Sequence, residues 1–318
     1  MLDAIIFAIN IVAPNLLLMA LGYHMQRRAL INEGFIEVVS HVVFTYCLPC
    51  LLFFSVLKSE VVYSEQLPLL TAGFITTFVL FFLAEGYAKY FVPDVKDKGV
   101  FVQGVFRSNM AIMSLAVVAN AYGEQGLSVG AVYMGIVTIL YNILAVITLS
   151  RTLATSGGAL SQAKTIVLAV IKNPLIIALV SAFVYKGLAL PVLPDFVNKT
   201  GSLLGAVALP LALMCAGATL EVKTMLAPSG LSMQASLGRI VIAPICAVVV
   251  GLLFALPSLQ MGVLFLMVAS PAAAASYVMA RAMGGNEVLA ANILGFTTVF
   301  GMLTMAAGMA GLRVLGLA

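Results

Sequence analysis

Ten apolar runs, separated by short polar or charged stretches, follow one another along this chain. They fall at 4–23, 36–57, 67–91, 100–122, 127–149, 165–186, 198–220, 231–255, 259–281 and 287–311. A helix of about 20 apolar residues crosses the hydrocarbon core of a bilayer, and each run reaches that length. Water cannot be the solvent of such a chain: 63% of its residues are hydrophobic and 9% charged, against about 25% charged in globular domains. The expected fold class is therefore an all-α polytopic membrane protein with ten transmembrane helices. Its short loops leave no room for a separate catalytic domain.

Ten spans bring the chain back to the side on which it started. When the 16 Lys and Arg residues are assigned to alternate sides, eleven share one side, among them Arg27, Arg28, Lys96, Arg151, Arg239 and Arg281. Four fall on the other, Lys58, Lys186, Lys199 and Arg313, and Arg107 lies inside a span. Basic residues collect in cytoplasmic loops, so both termini are expected on the non-cytoplasmic face. The first run has neither a basic leader nor a small-residue cleavage site and is expected to stay as the first helix. Cations scattered in ones and twos give no nucleic-acid footprint, so membrane lipid is the surrounding partner. Cys47 and Cys50 lie in an apolar run and read as small buried residues rather than a redox pair.

Pairs of helix-breaking and small residues recur at nearly one offset. Pro14 is followed by Pro174 after 160 residues, Pro49 by Pro210 and Gly123 by Gly284 after 161, and Ser108 by Ser270 after 162. The chain thus divides into a first five-helix repeat at 1–150, a cytoplasmic linker at 151–164 and a second five-helix repeat at 165–318. An odd number of helices per copy makes the second copy enter the membrane from the opposite face. Two inverted repeats are the architecture of secondary transporters, whose binding site lies near the bilayer midplane where interrupted helices meet.

Hydrocarbon tolerates a broken helix only where protein or a water-filled cavity satisfies the freed backbone groups. In the ninth run Ser270 and Pro271 precede four alanines and Ser276, and the proline removes one helical hydrogen bond and clashes with the preceding turn. At the matching place in the fourth run stand Arg107, Ser108 and Asn109. The fourth and ninth helices are therefore expected to be broken and to cross, presenting positive half-helix ends to one point. The Arg107 guanidinium, a planar fork that suits a carboxylate, makes a small organic anion the expected substrate. A kinked ninth helix, and an Arg107 that snorkels to the interface or pairs with Glu85, are the plainer alternatives.

Asn15 and Asn142 either line the same cavity or hydrogen-bond between helices. Glu85 and His41 are the candidates for coupling to protons, with an interfacial carboxylate and a packing histidine as the alternatives. No nucleotide-binding loop, paired metal-ligating histidines or serine-histidine-acid set occurs, so the chain is not read as an enzyme, and neither cofactor nor metal is expected.

Six segments together resemble the auxin efflux carrier family: Ile11 to Tyr23, Tyr46 to Ser55, Gly104 to Leu115, Lys172 to Ala178, Leu209 to Leu220 and Ala269 to Arg281. The resemblance implies ten helices in two inverted five-helix repeats with crossing fourth and ninth helices. It also implies carriage of organic anions such as malate, malonate or auxin-like acids. The plant carriers have a proline in the fourth-helix crossing where this chain has Ser108, and a long central loop where this chain has a short linker. The similarity is thus to prokaryotic members, placed in the bacterial inner membrane. A sodium-coupled symporter of the bile-acid type and a receptor that uses the same pocket are the rival functions, and homodimer formation is left open.

Overall fold

The computed structural model describes residues 2–59, 62–152, 167–168, 171–188, 191–220 and 230–318. Its long segments are α1 (Leu2–Arg27), α2 (Glu33–Val42), α3 (Leu48–Lys58), α4 (Leu67–Phe91), α5 (Val95–Phe106) and α6 (Leu115–Thr152). After these come α7 (Pro174–Gly187), α8 (Asp195–Ala218), α9 (Gly230–Leu237), α10 (Ala243–Leu253), α11 (Ser258–Ala269), α12 (Ala274–Ala282) and α13 (Glu287–Val314). Among the described residues there is no β-strand apart from one isolated bridge. An all-helical chain follows from its solvent, because a helix satisfies every interior backbone group within its own segment.

Seven continuous helical stretches are long and apolar enough to cross a membrane, and Pro174–Gly187 and Ser258–Ala269 are shorter apolar helices. The outer surface carries large apolar side chains such as Leu17, Phe82, Leu203 and Leu303. So many exposed large apolar side chains on helices of this length point to contact with lipid or protein rather than water. Each helix that starts with a polar cap takes it from the sequence beside it. Asn32, Asn173 and Asn286 accept from the amides of Phe35, Leu175 and Leu289, the N-cap arrangement that satisfies an otherwise orphaned donor.

Three π-helical turns interrupt the regular helices: Val43–Cys47 joins α2 to α3, Met110–Ser114 leads into α6, and Gly238–Ile242 joins α9 to α10. Such turns shift the register of the helix that follows and are frequent at functional sites. Gly123 and Gly284 both take positive φ, 60° and 80°, a conformation that glycine adopts without steric cost. Gly123 bends α6 in two, so that the part before it belongs with the fourth apolar run and the part after it is the fifth. The prolines at 14 and 210 lie inside α1 and α8, which continue through them. Residues 153–166, which hold most of the expected linker, lie outside the described residues.

Candidate functional site

The helix α5 stops at Phe106 because the next residue, Arg107, has an extended backbone (φ −92°, ψ 103°). α11 stops at Ala269 in the same way, with Ser270 at φ −65°, ψ 158°. The two interruptions lie against each other. Ser108 and Ala272 form an antiparallel bridge, in which the Asn109 amide donates to the Pro271 carbonyl at 2.8 Å and the Ala273 amide to the Arg107 carbonyl at 2.9 Å. Backbone groups released by each break are thus satisfied by the other, which is what burial in a membrane protein requires.

Side chains tie the crossing to its surroundings. Ser108 Oγ donates to the Met267 carbonyl at 2.8 Å and lies 3.0 Å from the Tyr141 hydroxyl. The Ala272 amide donates to Thr297 Oγ1 at 3.1 Å, so α13 supports the ninth-run break. Thr297→Val is expected to strand that buried amide at a cost of about 1–3 kcal/mol, read as a lower melting temperature of the detergent-solubilised protein. Unchanged melting would mean that the amide is satisfied without the threonine.

Arg107 is the charged member of the site. It is 5% exposed, and its Nη2 donates to Asn142 Oδ1 at 2.7 Å, while its Nη1 donates to Gln103 Oε1 at 3.3 Å and lies 2.7 Å from Met279 Sδ. Among the described residues no carboxylate lies within ion-pair distance of it. The expected alternative of a pair with Glu85 is not what the fold builds: Glu85 takes Arg151 and the Thr148 hydroxyl instead. A buried cation whose protein partners are all neutral, next to the amide ends of the half-helices that begin at Met110 and Ala274, is an electropositive site suited to an anion.

The remaining candidates divide. Asn142 joins the site through Arg107, and Ser270 and Ser276 are buried with hydroxyls that have no hydrogen-bond partner among the described residues. Asn15 is buried between α1 and α6, where its Oδ1 accepts from Asn120 at 3.1 Å, and no hydrogen bond joins it to the crossing. His41 is exposed on α2. Gln103, Tyr141 and Thr297 complete the site and were not anticipated. Gln103 could have been found, since it lies one turn before Arg107 on the same helix face.

Arg239 corrects the assignment of basic residues. It was expected in a cytoplasmic loop, yet it is fully buried in the π-helical turn Gly238–Ile242, donating to the Val105 carbonyl at 2.9 Å. A cavity of about 620 Å³ opens elsewhere, lined by residues of α3, α8 and the turn after Gly123, among them Phe54, Lys58, Glu124 and Ser202. It does not coincide with the crossing. The buried charge and the paired breaks, rather than cavity size, place the candidate site.

An all-helical fold of apolar helices around a buried, electropositive crossing is that of a membrane transporter. A family model described as membrane transport protein, the family of the auxin efflux carriers, matches residues 7–308, and the chain belongs to that family. It is 24% identical over 302 residues to the uncharacterized transporter YfdV of Escherichia coli, covering 91% of this chain and 94% of that protein. It is 23% identical over 305 residues to the uncharacterized transporter MJ1031 of Methanocaldococcus jannaschii, covering 93% and 96%.

Proposed function

We propose that this chain carries a small organic anion, a mono- or dicarboxylate, across the bacterial inner membrane by alternating access. The observation that carries the reading is Arg107, a buried guanidinium held by neutral partners beside the Ser108–Ala272 bridge. In the proposed architecture ten spans form two inverted five-helix repeats, with both termini on the non-cytoplasmic face. Three matched features support the repeat: Ser108 and Ser270 at the two breaks, Gly123 and Gly284 at positive φ, and broken helices in the same place of each half.

Arg107, Ser108, Asn109, Ser270, Pro271, Ser276 and Asn142 bound the site in this reading, with Asn15 set apart from them between α1 and α6. The cavity beside Lys58 and Glu124 is the vestibule on the non-cytoplasmic side. Opposite it, Asn286 donates to Asp97 at 2.8 Å and draws the starts of α13 and α5 together. Movement of one half against the other would open that side and close the vestibule.

Membrane potential constrains direction. One elementary charge moved across 100 mV is worth about 2.3 kcal/mol, so a dianion leaves an inside-negative cell with about 4.6 kcal/mol of assistance. Efflux, uniport or exchange needs no ion coupling, whereas uptake of a dianion gains from the potential only with more than two co-transported cations, Glu85 and His41 being the candidates for proton coupling, or by exchange against another anion. The test is reconstitution into liposomes with radiolabelled carboxylates, with and without proton or sodium gradients. The expected result is accumulation above protein-free vesicles for at least one carboxylate without a sodium requirement. A protein that moves none would overturn the reading, and strict sodium dependence would move it to a sodium symporter.

A further inference from the structure

Arg239 is fully buried, and the transport reading above gives it no part. Its Nη1 donates to the carbonyl of Val105, one of the last carbonyls of α5, which no residue of that helix can reach. That bond fixes the guanidinium at the broken end of the same helix from which Arg107 departs two residues later. The approach is close because position 238 is glycine: a Cβ there would lie 3.0 Å from Val105 Cγ2.

The other two nitrogens, Nε and Nη2, are buried and have no hydrogen-bond partner among the described residues. They share one edge of the guanidinium and present two parallel N–H donors, the fork that takes a carboxylate in bidentate fashion. Around this residue the fold places neutral groups. The phenols of Tyr133 and Tyr141 and the thiol of Cys246 lie within electrostatic reach of Arg239, and Tyr141 is within reach of Arg107 as well. The Tyr133 hydroxyl, Ser236 Oγ and Gln103 Nε2 are likewise buried without partners among the described residues. Among the described residues no carboxylate is within ion-pair distance of Arg239. A buried charge left uncompensated is strongly destabilising, so two such arginines, Arg107 just past the end of α5 and Arg239 reaching that end from the turn Gly238–Ile242, call for negative charge from outside the chain.

We infer that Arg239 is a second anion-binding residue of the transport site, its Nε–Nη2 edge taking a carboxylate of the substrate, so that Arg107 and Arg239 together select a dianion over a monoanion. The inference rests on the organic-anion reading and adds a residue and a selectivity to it. Because solvent does not reach Arg239 in this conformation, engagement requires the turn at Gly238 and the end of α5 to part by the width of a carboxylate. Displacement of one helix group against another during alternating access supplies such movement.

The experiment compares succinate with butyrate in proteoliposomes, as the ratio of kcat/KM for the two acids, in the wild type and in Arg239→Gln. A ratio is insensitive to the fraction of protein that folds. Losing a charge-assisted hydrogen-bonded pair should lower the preference for succinate by about ten- to a hundredfold. Arg239→Lys, charged but without the fork, should fall between the two. A variant with an unchanged ratio, or a wild type that moves butyrate as well as succinate, overturns the inference and leaves the transport reading standing: Arg239 then only caps α5. A wild type that moves neither acid and no other carboxylate overturns both.

Discussion

Carboxylate transport into proteoliposomes is expected to fall by about thirtyfold to a thousandfold or more when Arg107 is replaced by glutamine, because truncating one member of a buried, hydrogen-bonded charge pair costs about 2–5 kcal/mol. The side chain is 5% exposed and its protein partners, Asn142, Gln103 and Met279, are neutral. Since no described carboxylate pairs with it, substrate provides the opposite charge in the proposed cycle, and glutamine can offer it hydrogen bonds without the Coulombic term. Arg107→Lys keeps the charge but loses the planar geometry that reaches Asn142 and Gln103 together, so an intermediate loss is expected. Initial rates and KM from radiolabelled uptake check both variants. Wild-type affinity and rate in Arg107→Gln would remove the charge from the mechanism and with it the argument for an anion.

Glutamine at this position has a second expected consequence, on stability. Removing a guanidinium from a buried setting relieves its desolvation, while Asn142 Oδ1 loses its donor. These effects oppose each other, so melting should change far less than transport. A variant that lost transport and melting together would instead mean that Arg107 holds the crossing in shape.

The all-helical class was legible in the sequence because lipid leaves the backbone few alternatives, so a long apolar run tends to become a helix whatever its side chains. The interruption at Ser270 to Ala273 was legible for a local reason, the proline, and the one at Arg107 to Asn109 because three polar residues in an apolar run must face something other than lipid. What was not legible depended on neighbours. Arg239 stands as far into its apolar run as Arg107 does, but without the polar neighbours Ser108 and Asn109, and a lone arginine there looks like an interfacial one. Its burial follows from the approach of Gly238 to Val105, across 133 positions of the chain. Proline alone does not mark a break: α1 and α8 run through Pro14 and Pro210 unbroken. Thr297 had no signal at all, because its role is to accept from one amide exposed by a break in another helix.

Packing of α1 against α8 yields the second large effect. A methyl group on Gly22 would lie 1.9 Å from the carbonyl oxygen of Met214, and one on Gly217 would lie 1.9 Å from the carbonyl oxygen of Met19. The contacts are reciprocal, each glycine seated on the backbone of the other helix one turn from its own partner's seat. Small residues of this kind let transmembrane helices associate where no hydrophobic drive exists between them. Since the obstructing atoms are backbone, no rotamer change can relieve them, and the helices must separate. Gly22→Ala and Gly217→Ala are each expected to cost about 3 kcal/mol or more, the upper end of overpacking. Gly86, where an added Cβ meets nothing within 4 Å, provides the contrast: Gly86→Ala on α4 should be neutral or stabilising by up to about 1 kcal/mol, from the gain in helix propensity. The chain has no tryptophan, so unfolding is best followed with a thiol-reactive dye that reports exposure of the buried cysteines Cys47 and Cys215. The dye should react at clearly lower temperature in both α1–α8 variants and not in Gly86→Ala. Equal melting of all three would mean that α1 and α8 are not held at this distance, and the close seat between the two helices would have to be abandoned.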